Sequence, residues 1–203
     1  LFRSTVRKAM LPSAKKQRNQ PRMNRETTTT IPTLETERLL LRGHRLDDFE
    51  AYRALWSDTD VVRYITGSPM SREQVWGRLM RIAGMWHHMG FGFFAIEEKA
   101  TGRFIGEAGF HDLHREMTPS IEGTLETGWA LMPDCHGKGY ATELLQALLA
   151  WGEENFPEKR MTCIISPENT ASIRVAGKMG FRETARTDYH GETILMERSR
   201  SAG

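Results

Sequence analysis

Cysteine is almost absent: Cys135 and Cys163 are the whole complement of a 203-residue chain. Two thiols cannot build a disulfide framework, and they fit a reducing, cytoplasmic setting in which each is an ordinary buried side chain. Long apolar runs are missing as well. No window approaches the roughly 18 to 20 uninterrupted apolar residues of a membrane span, so no membrane role is expected. Acids are missing from one stretch: residues 1–25 carry eight basic side chains, Arg3 to Arg25, and no Asp or Glu. The rest then holds 20 basic against 26 acidic residues, a net −6 beneath the overall +2. No apolar period organises the basic arm, which argues against a transit peptide or a nucleic-acid tether, so residues 1–30 are read as a disordered leader. The acidic remainder suits an amine-bearing partner.

What is present reads as one domain over residues 31–203, beginning at the Ile31-Pro32 turn signal. Residues 36–42 form a short strand candidate. Asp47-Asp48 then precede Phe49, Tyr52, Leu55 and Trp56, whose spacing is that of an amphipathic helix with acids at the positive end of its dipole. Ser71 and Gln74 make a capping box for a second helix through Val75, Leu79, Ile82, Met85 and Trp86, ended by Gly90 and Gly92. Residues 91–97 and 103–110 read as strands about a turn, and Gly106 and Gly109 inside the second point to a bulge or a close backbone approach. A strand over 122–132 follows. Leu144, Leu145, Leu148, Leu149 and Trp151 form the apolar stripe of a core-facing helix. A β-rich run at 161–166, a helix over 170–179 stopped by Gly180, and a hairpin turning at Tyr189-His190-Gly191 complete the order βααβββαβαββ.

The segment His136-Gly137-Lys138-Gly139-Tyr140-Ala141-Thr142 joins a strand to a helix. Its glycines let the main chain approach a ligand, and the first helical N–H groups have no internal partner, so such a turn is an anion site. It is not a Walker loop, because Gly137-Lys138 is followed by Gly139. Nor is it a dinucleotide fingerprint, which needs a third Gly or Ala where Thr142 stands and an early strand. His111-x-x-His114 has ligand spacing but no evident third ligand, so no metal is expected.

Around that turn the chain resembles a known family. The quoted segments are Thr127-Gly128-Trp129-Ala130-Leu131-Met132-Pro133, then His136 to Glu143, then Pro167-Glu168-Asn169-Thr170-Ala171-Ser172-Ile173-Arg174, then Lys178-Met179-Gly180-Phe181. In that order and spacing they resemble the GNAT superfamily of N-acetyltransferases, and within it the ribosomal-protein N-terminal acetyltransferases and their relatives. The likeness spans about residues 34 to 198. It implies an α/β (α+β) fold: a mixed, mostly antiparallel seven-stranded sheet with a splayed parallel pair, flanked by about four helices. It also implies acetyl-CoA as co-substrate and direct transfer to an amine, either a protein N-terminus or a small molecule, without a metal or nucleic acid. The expected assembly is a monomer or homodimer. A rival class is a non-catalytic acyl-CoA-binding module on the same fold.

The resemblance assigns roles by position. Gly137, Lys138, Gly139, Tyr140, Ala141 and Thr142 are the implied pyrophosphate residues, with Gly139 and Ala141 at fixed family positions and His136 where relatives carry Gln or Arg. Main-chain N–H groups at Leu131 and Met132 would polarise the thioester oxygen. Asn169 would bond the pantetheine arm and also cap its helix. A free amine has a pKa of about 10, so a proton must leave as it attacks; Glu126 is the candidate base, with Glu122 in reserve. Relatives often place a tyrosine seven residues after the asparagine, where this chain has Ala176, so Ser172 is the named donor to the leaving thiolate. Cys135 has no evident base to make it a nucleophile. Trp86, His87 and His88 are placed beside the acceptor cleft, and Trp129, Trp151 and Phe181 in the core.

Overall fold

The computed structural model describes residues 30–199, so the leader assigned to residues 1–30 lies, but for Thr30, outside the described residues. Strands β1 (Leu34–Glu35), β2 (Leu39–Arg42), β3 (Phe93–Glu98), β4 (Arg103–His111), β5 (Leu125–Leu131), β6 (Met161–Ile165), β7 (Phe181–Asp188) and β8 (Glu192–Arg198) make one sheet. Its order is β1-β2-β3-β4-β5-β6-β8-β7. The helices are α1 (Phe49–Ser57), α2 (Thr59–Val62), α3 (Arg72–Met89), α4 (Tyr140–Asn155) and α5 (Thr170–Lys178). Eight strands and five helices among the described residues exceed the expected seven and four. The additions, β1 and α2, are two and four residues long, too short to impose a hydrophobic period.

Every neighbouring pair is antiparallel except β5 and β6. These two are parallel and share only the pairs Leu125↔Met161 and Glu126↔Thr162. Beyond them β5 runs on to Leu131 and β6 to Ile165 without pairing, so the sheet opens into a V. A parallel pair needs a crossover, and here it is α4. The far edges of β5 and β6 are paired with β4 and β8, so the opening lies between the near edges of these two strands.

Alternation along the strands fixes what shares a face. His111 lies opposite Glu126, Gly109 opposite Gly128 and Glu107 opposite Ala130, while Phe93 of β3 lies opposite Gly109. Helix α3 covers this face, since its Arg78 pairs with Glu107 and lies 5.5 Å from the centre of the Phe93 ring. Phe110 points to the other face, stacked on Trp151 of α4. Both strand glycines answer a close approach: a Cβ on Gly106 would sit 2.2 Å from the Ala130 carbonyl oxygen, and one on Gly109 2.2 Å from that of Gly92. The β3–β4 register slips beside Gly106, between Ile96 and Glu97.

The helix ends follow their signals. Ser71 Oγ accepts from the Gln74 N–H while Gln74 Oε1 accepts from the Ser71 N–H, and Gly90 closes α3 at φ +73°. Asp48 stands at the start of α1 as read and has a second part: it is buried and takes a two-pronged ion pair from Arg42 at 2.8 Å, anchoring the start of α1 to β2. Trp86 is a correction. Its ring is 2% exposed and its Nε1–H donates to the Phe93 carbonyl, so it belongs to the core, because α3 turns that side onto β3. His87 and His88 are exposed.

Candidate active site

The loop before α4 is held open from outside. Gly137 and Gly139 sit at φ +74° and +82°, in the left-handed region where a Cβ is strained, and Gly139 is the N-cap of α4. The His136 N–H is used by the Pro133 carbonyl, and intrahelical bonding resumes at Glu143 N–H to Gly139 O. Between them, the N–H groups of Gly137, Lys138, Gly139, Tyr140, Ala141 and Thr142 meet no acceptor among the described residues. Six main-chain donors at a helix N-terminus, beside the exposed Lys138, form an anion cradle. His136 adds no donor to it: its Nε2 lies 2.9 Å from the Leu131 carbonyl and ties the loop to the end of β5.

Arg38 braces the cradle, a role that no motif announced. Its Nη1 donates to the Lys138 carbonyl at 3.0 Å, its Nε donates to Glu143 at 2.7 Å, and the guanidinium lies 4.4 Å over the Tyr140 ring. Thr36 Oγ1 also donates to Glu143 at 2.6 Å. For the acetyl-CoA that the resemblance implies, Arg38→Ala should raise KM about three- to ten-fold, the loss of roughly one hydrogen bond. Initial rates against acetyl-CoA concentration measure this; an unchanged KM would mean that the loop holds its shape without Arg38.

The V begins where the sheet carries its most concentrated chemistry. Glu126 is 4% exposed and receives Arg115 as a fork, Nε to Oε2 at 2.7 Å and Nη2 to Oε1 at 2.8 Å. His111 Nε2 lies 2.9 Å from the same Oε1. Arg115 in turn donates to Tyr189 Oη at 3.0 Å, which links the cluster to the β7–β8 hairpin turn. Burial alone would raise the Glu126 carboxyl, but His111 and Arg115 together hold it below the usual carboxylate range. Burial likewise keeps His111 below 6.5, against the pull of Glu126. Neither Arg115 nor the His111–Glu126 contact was visible in the chain. The contact follows from strand register across a loop, and Arg115 lies in that loop. Glu122 stands apart, exposed and paired with His114.

Where β5 is still paired, the Leu125 N–H donates toward β6, to the Arg160 carbonyl, while past its open end the Met132 N–H donates to Ile105 of β4. Alternation turns the Thr127, Trp129 and Leu131 N–H groups to the β6 side and commits Met132 to the sheet; the Glu126↔Thr162 pair takes the Thr127 N–H, so Trp129 and Leu131 face the V. Of the two expected oxyanion donors, Leu131 thus faces the opening. Thr127 Oγ1, one residue past the last β5–β6 pair, is buried without a partner among the described residues.

Across the V, Asn169 caps α5: its Oδ1 accepts from the Ser172 N–H at 3.1 Å. That leaves its amide NH2 group and the Ser172 hydroxyl without partners among the described residues, both half-buried. Ala176, one turn beyond Ser172 on the same helix face, is fully buried. Burial and Asp134 push the Cys135 thiol up, and burial does the same to Cys163, so neither is disposed to act as a thiolate. No group of three or more metal-ligating side chains occurs among the described residues, and no described helix is long and apolar enough to cross a membrane.

Residues 38–182 match the family model described as an acetyltransferase (GNAT) domain. The N-acetyltransferase p20 of Bacillus licheniformis, itself uncharacterised, is 31% identical over 154 residues, covering 75% of this chain and 84% of that protein. A solved structure described as a GnaT-family acetyltransferase from Bordetella pertussis superposes at TM-score 0.74 with 30% identity, covering 83% of this chain and 99% of that one. At 17% identity the fold is also shared with RimL, a ribosomal L7/L12 α-N-protein acetyltransferase in complex with coenzyme A. It superposes at TM-score 0.66 and covers 82% of this chain and 97% of that one.

Proposed function

Because the chain belongs to the GNAT family of acetyltransferases, we propose that it moves an acetyl group from acetyl-CoA to an amine, with both substrates bound at once. One observation carries this reading: a cradle of unpartnered N–H groups stands at the mouth of an unpaired strand edge. The cradle suits the pyrophosphate of coenzyme A, contributed by Gly137, Lys138, Gly139, Tyr140, Ala141 and Thr142. The edge of β5 suits an extended pantetheine arm, which pairs like an added strand. Asn169, with its amide NH2 group free, faces that arm, and the Leu131 N–H polarises the thioester oxygen.

The acceptor nitrogen reaches the carbonyl carbon beside the Glu126 cluster, and Glu126 supplies the negative charge of the deprotonating machinery. The Ser172 hydroxyl donates to the departing sulfur. The acceptor is a protein N-terminal amine or a small-molecule amine, and the relatives include enzymes of both kinds, such as a spermidine N-acetyltransferase from Vibrio cholerae in complex with coenzyme A and spermine.

The test is coenzyme A release, read with a thiol reagent, from acetyl-CoA and a panel of peptide N-termini, polyamines and amino acids. At least one amine is expected to give turnover. Glu126→Gln should lower kcat about 100-fold or more, and Ser172→Ala about ten-fold, as for one lost hydrogen bond. If both variants turn over every accepted amine at the wild-type rate, these assignments are wrong; if no amine is accepted, the acetyl-transfer reading is wrong.

A further inference from the structure

Within the cluster at the V, Glu126 is poorly placed to receive a proton itself. Both its oxygens are occupied, by the Arg115 fork and by His111. Protonating it would break a buried ion pair, and its carboxyl is held below the usual range. His111 is arranged the other way round. A carboxylate only accepts, so the ring nitrogen facing Glu126 must carry the hydrogen; that nitrogen is Nε2. The lone pair is then left on Nδ1. Among the described residues Nδ1 meets no hydrogen-bond partner, and it is not one of the sealed polar atoms found elsewhere in this face. Phe93 packs against the ring at 5.2 Å and its own ring fills the space over Gly128, so it walls one side of His111 without contacting Nδ1 by a polar group.

We infer that His111 Nδ1 is the atom that takes the acceptor's proton, and that Glu126, fixed by Arg115, is a positioning residue that sets the tautomer of His111. This rests on the acetyl-transfer reading above. As the amine lone pair forms the C–N bond to the acetyl carbon, the nitrogen becomes acidic and its proton passes to Nδ1. The C–S bond then breaks with its electron pair on sulfur, and the imidazolium returns the proton by way of solvent, leaving amide and thiol. Such a relay needs a base that is neutral at working pH. The groups that face the ring favour that state. Burial dominates, Arg115 from the loop after β4 and Arg78 from α3 push the same way, and Glu126 of β5 alone opposes them.

Two measurements test this. Nitrogen-15 NMR of the histidine side chains, on the full chain with coenzyme A bound, should show His111 as the neutral Nε2–H tautomer at pH 7, titrating below 6.5. A ring protonated at pH 7, or carrying its hydrogen on Nδ1, would overturn the inference without any acceptor being known. Kinetics follow with the amine that gives most coenzyme A release in the panel. His111→Gln should lower kcat about 100-fold or more while KM for acetyl-CoA stays within two-fold, and the wild type's extra loss of kcat/KM on acidification below His111's titration should vanish. Glu126→Gln should keep that limb but move it to lower pH, since the carboxylate is what raises His111; a purely structural Glu126 would leave it in place. Turnover of His111→Gln within two-fold of wild type, with the acidic limb retained, would sink the inference. Should His111→Gln lose its thermal transition or its coenzyme A binding, His111→Asn replaces it under the same criteria. Failure of the acetyl-transfer reading looks different, because the wild type would then release no coenzyme A with any amine.

Discussion

Replacing Glu107 by Leu is expected to lower Tm by about 10 °C. Glu107 is fully buried on β4, and its partner Arg78 is folded in above it, 4.0 Å over the Trp56 ring. Leucine removes the charge at similar volume, so the cost isolates what Arg78 suffers when left alone in a dry site, about 3–5 kcal/mol. For a domain of this size each kcal/mol moves Tm by roughly 2–4 °C. Among the described residues, the groups beside Arg78 include neutral acceptors but no second carboxylate to replace the lost charge. Tyr52 Oη and the Trp56 Nε1–H are buried without partners, as are both ring nitrogens of His44, and burial keeps His44 below 6.5. The double variant Glu107→Leu/Arg78→Met should recover most of the loss, because it removes both charges together. A calorimetric cycle of the two single variants and the double one checks this. A Tm of Glu107→Leu within 2 °C of wild type would mean that Arg78 swings out to water, and that this ion pair does not hold α3 on the sheet.

Gly139→Val should weaken coenzyme A binding ten-fold or more by titration calorimetry, with little change in the thermal transition. A left-handed φ of +82° costs a side-chain-bearing residue about 1–2 kcal/mol, and a β-branched one more. The chain relieves that strain by rotating the peptides on either side, and these are the peptides whose N–H groups form the cradle. The added Cβ also comes within 3.5 Å of Arg38 Nη2, the brace of the same loop. Gly137→Ala, with no neighbour within 4 Å of its Cβ, meets only the backbone penalty and should lose less. Equal losses for the two variants would show that space around Gly139 plays no part.

Local signals were legible in the chain because local physics writes them. Ser71 with Gln74, the glycine stop of α3, Gly180 after α5 and the turn at Tyr189-His190-Gly191 each state a short-range constraint, and each stands where it was read. The two glycines of β4 announced close approach correctly, though not to which carbonyl. The cluster at Glu126 was legible only as a lone strand glutamate. Its partner His111 meets it through the β4–β5 register, and Arg115 arrives from the intervening irregular loop. No period in the sequence encodes that register. Trp86 was misplaced for a related reason: an aromatic near a helix end looks alike whether it lines a cleft or fills the core, and only the direction α3 takes over β3 decides. Asp48 read only as a helix-dipole acid, for want of any sign that Arg42 would also reach it from β2.

The parallel contact between β5 and β6 amounts to two residue pairs, so the sheet is a five-stranded leaf and a three-stranded leaf joined along a short seam. A molecule lying in that gap acts as a stitch between the leaves as well as a reactant. Binding that spans the seam draws on the folding free energy of the whole sheet, so occupancy and resistance to unfolding rise together as RT ln(1 + [L]/Kd). The outward amides of Trp129 and Leu131 would report it directly, exchanging with solvent while the gap is empty and slowing once it is filled. On this architecture the supply of acetyl donor sets how firmly the two leaves are held, and not only how fast the chain turns over.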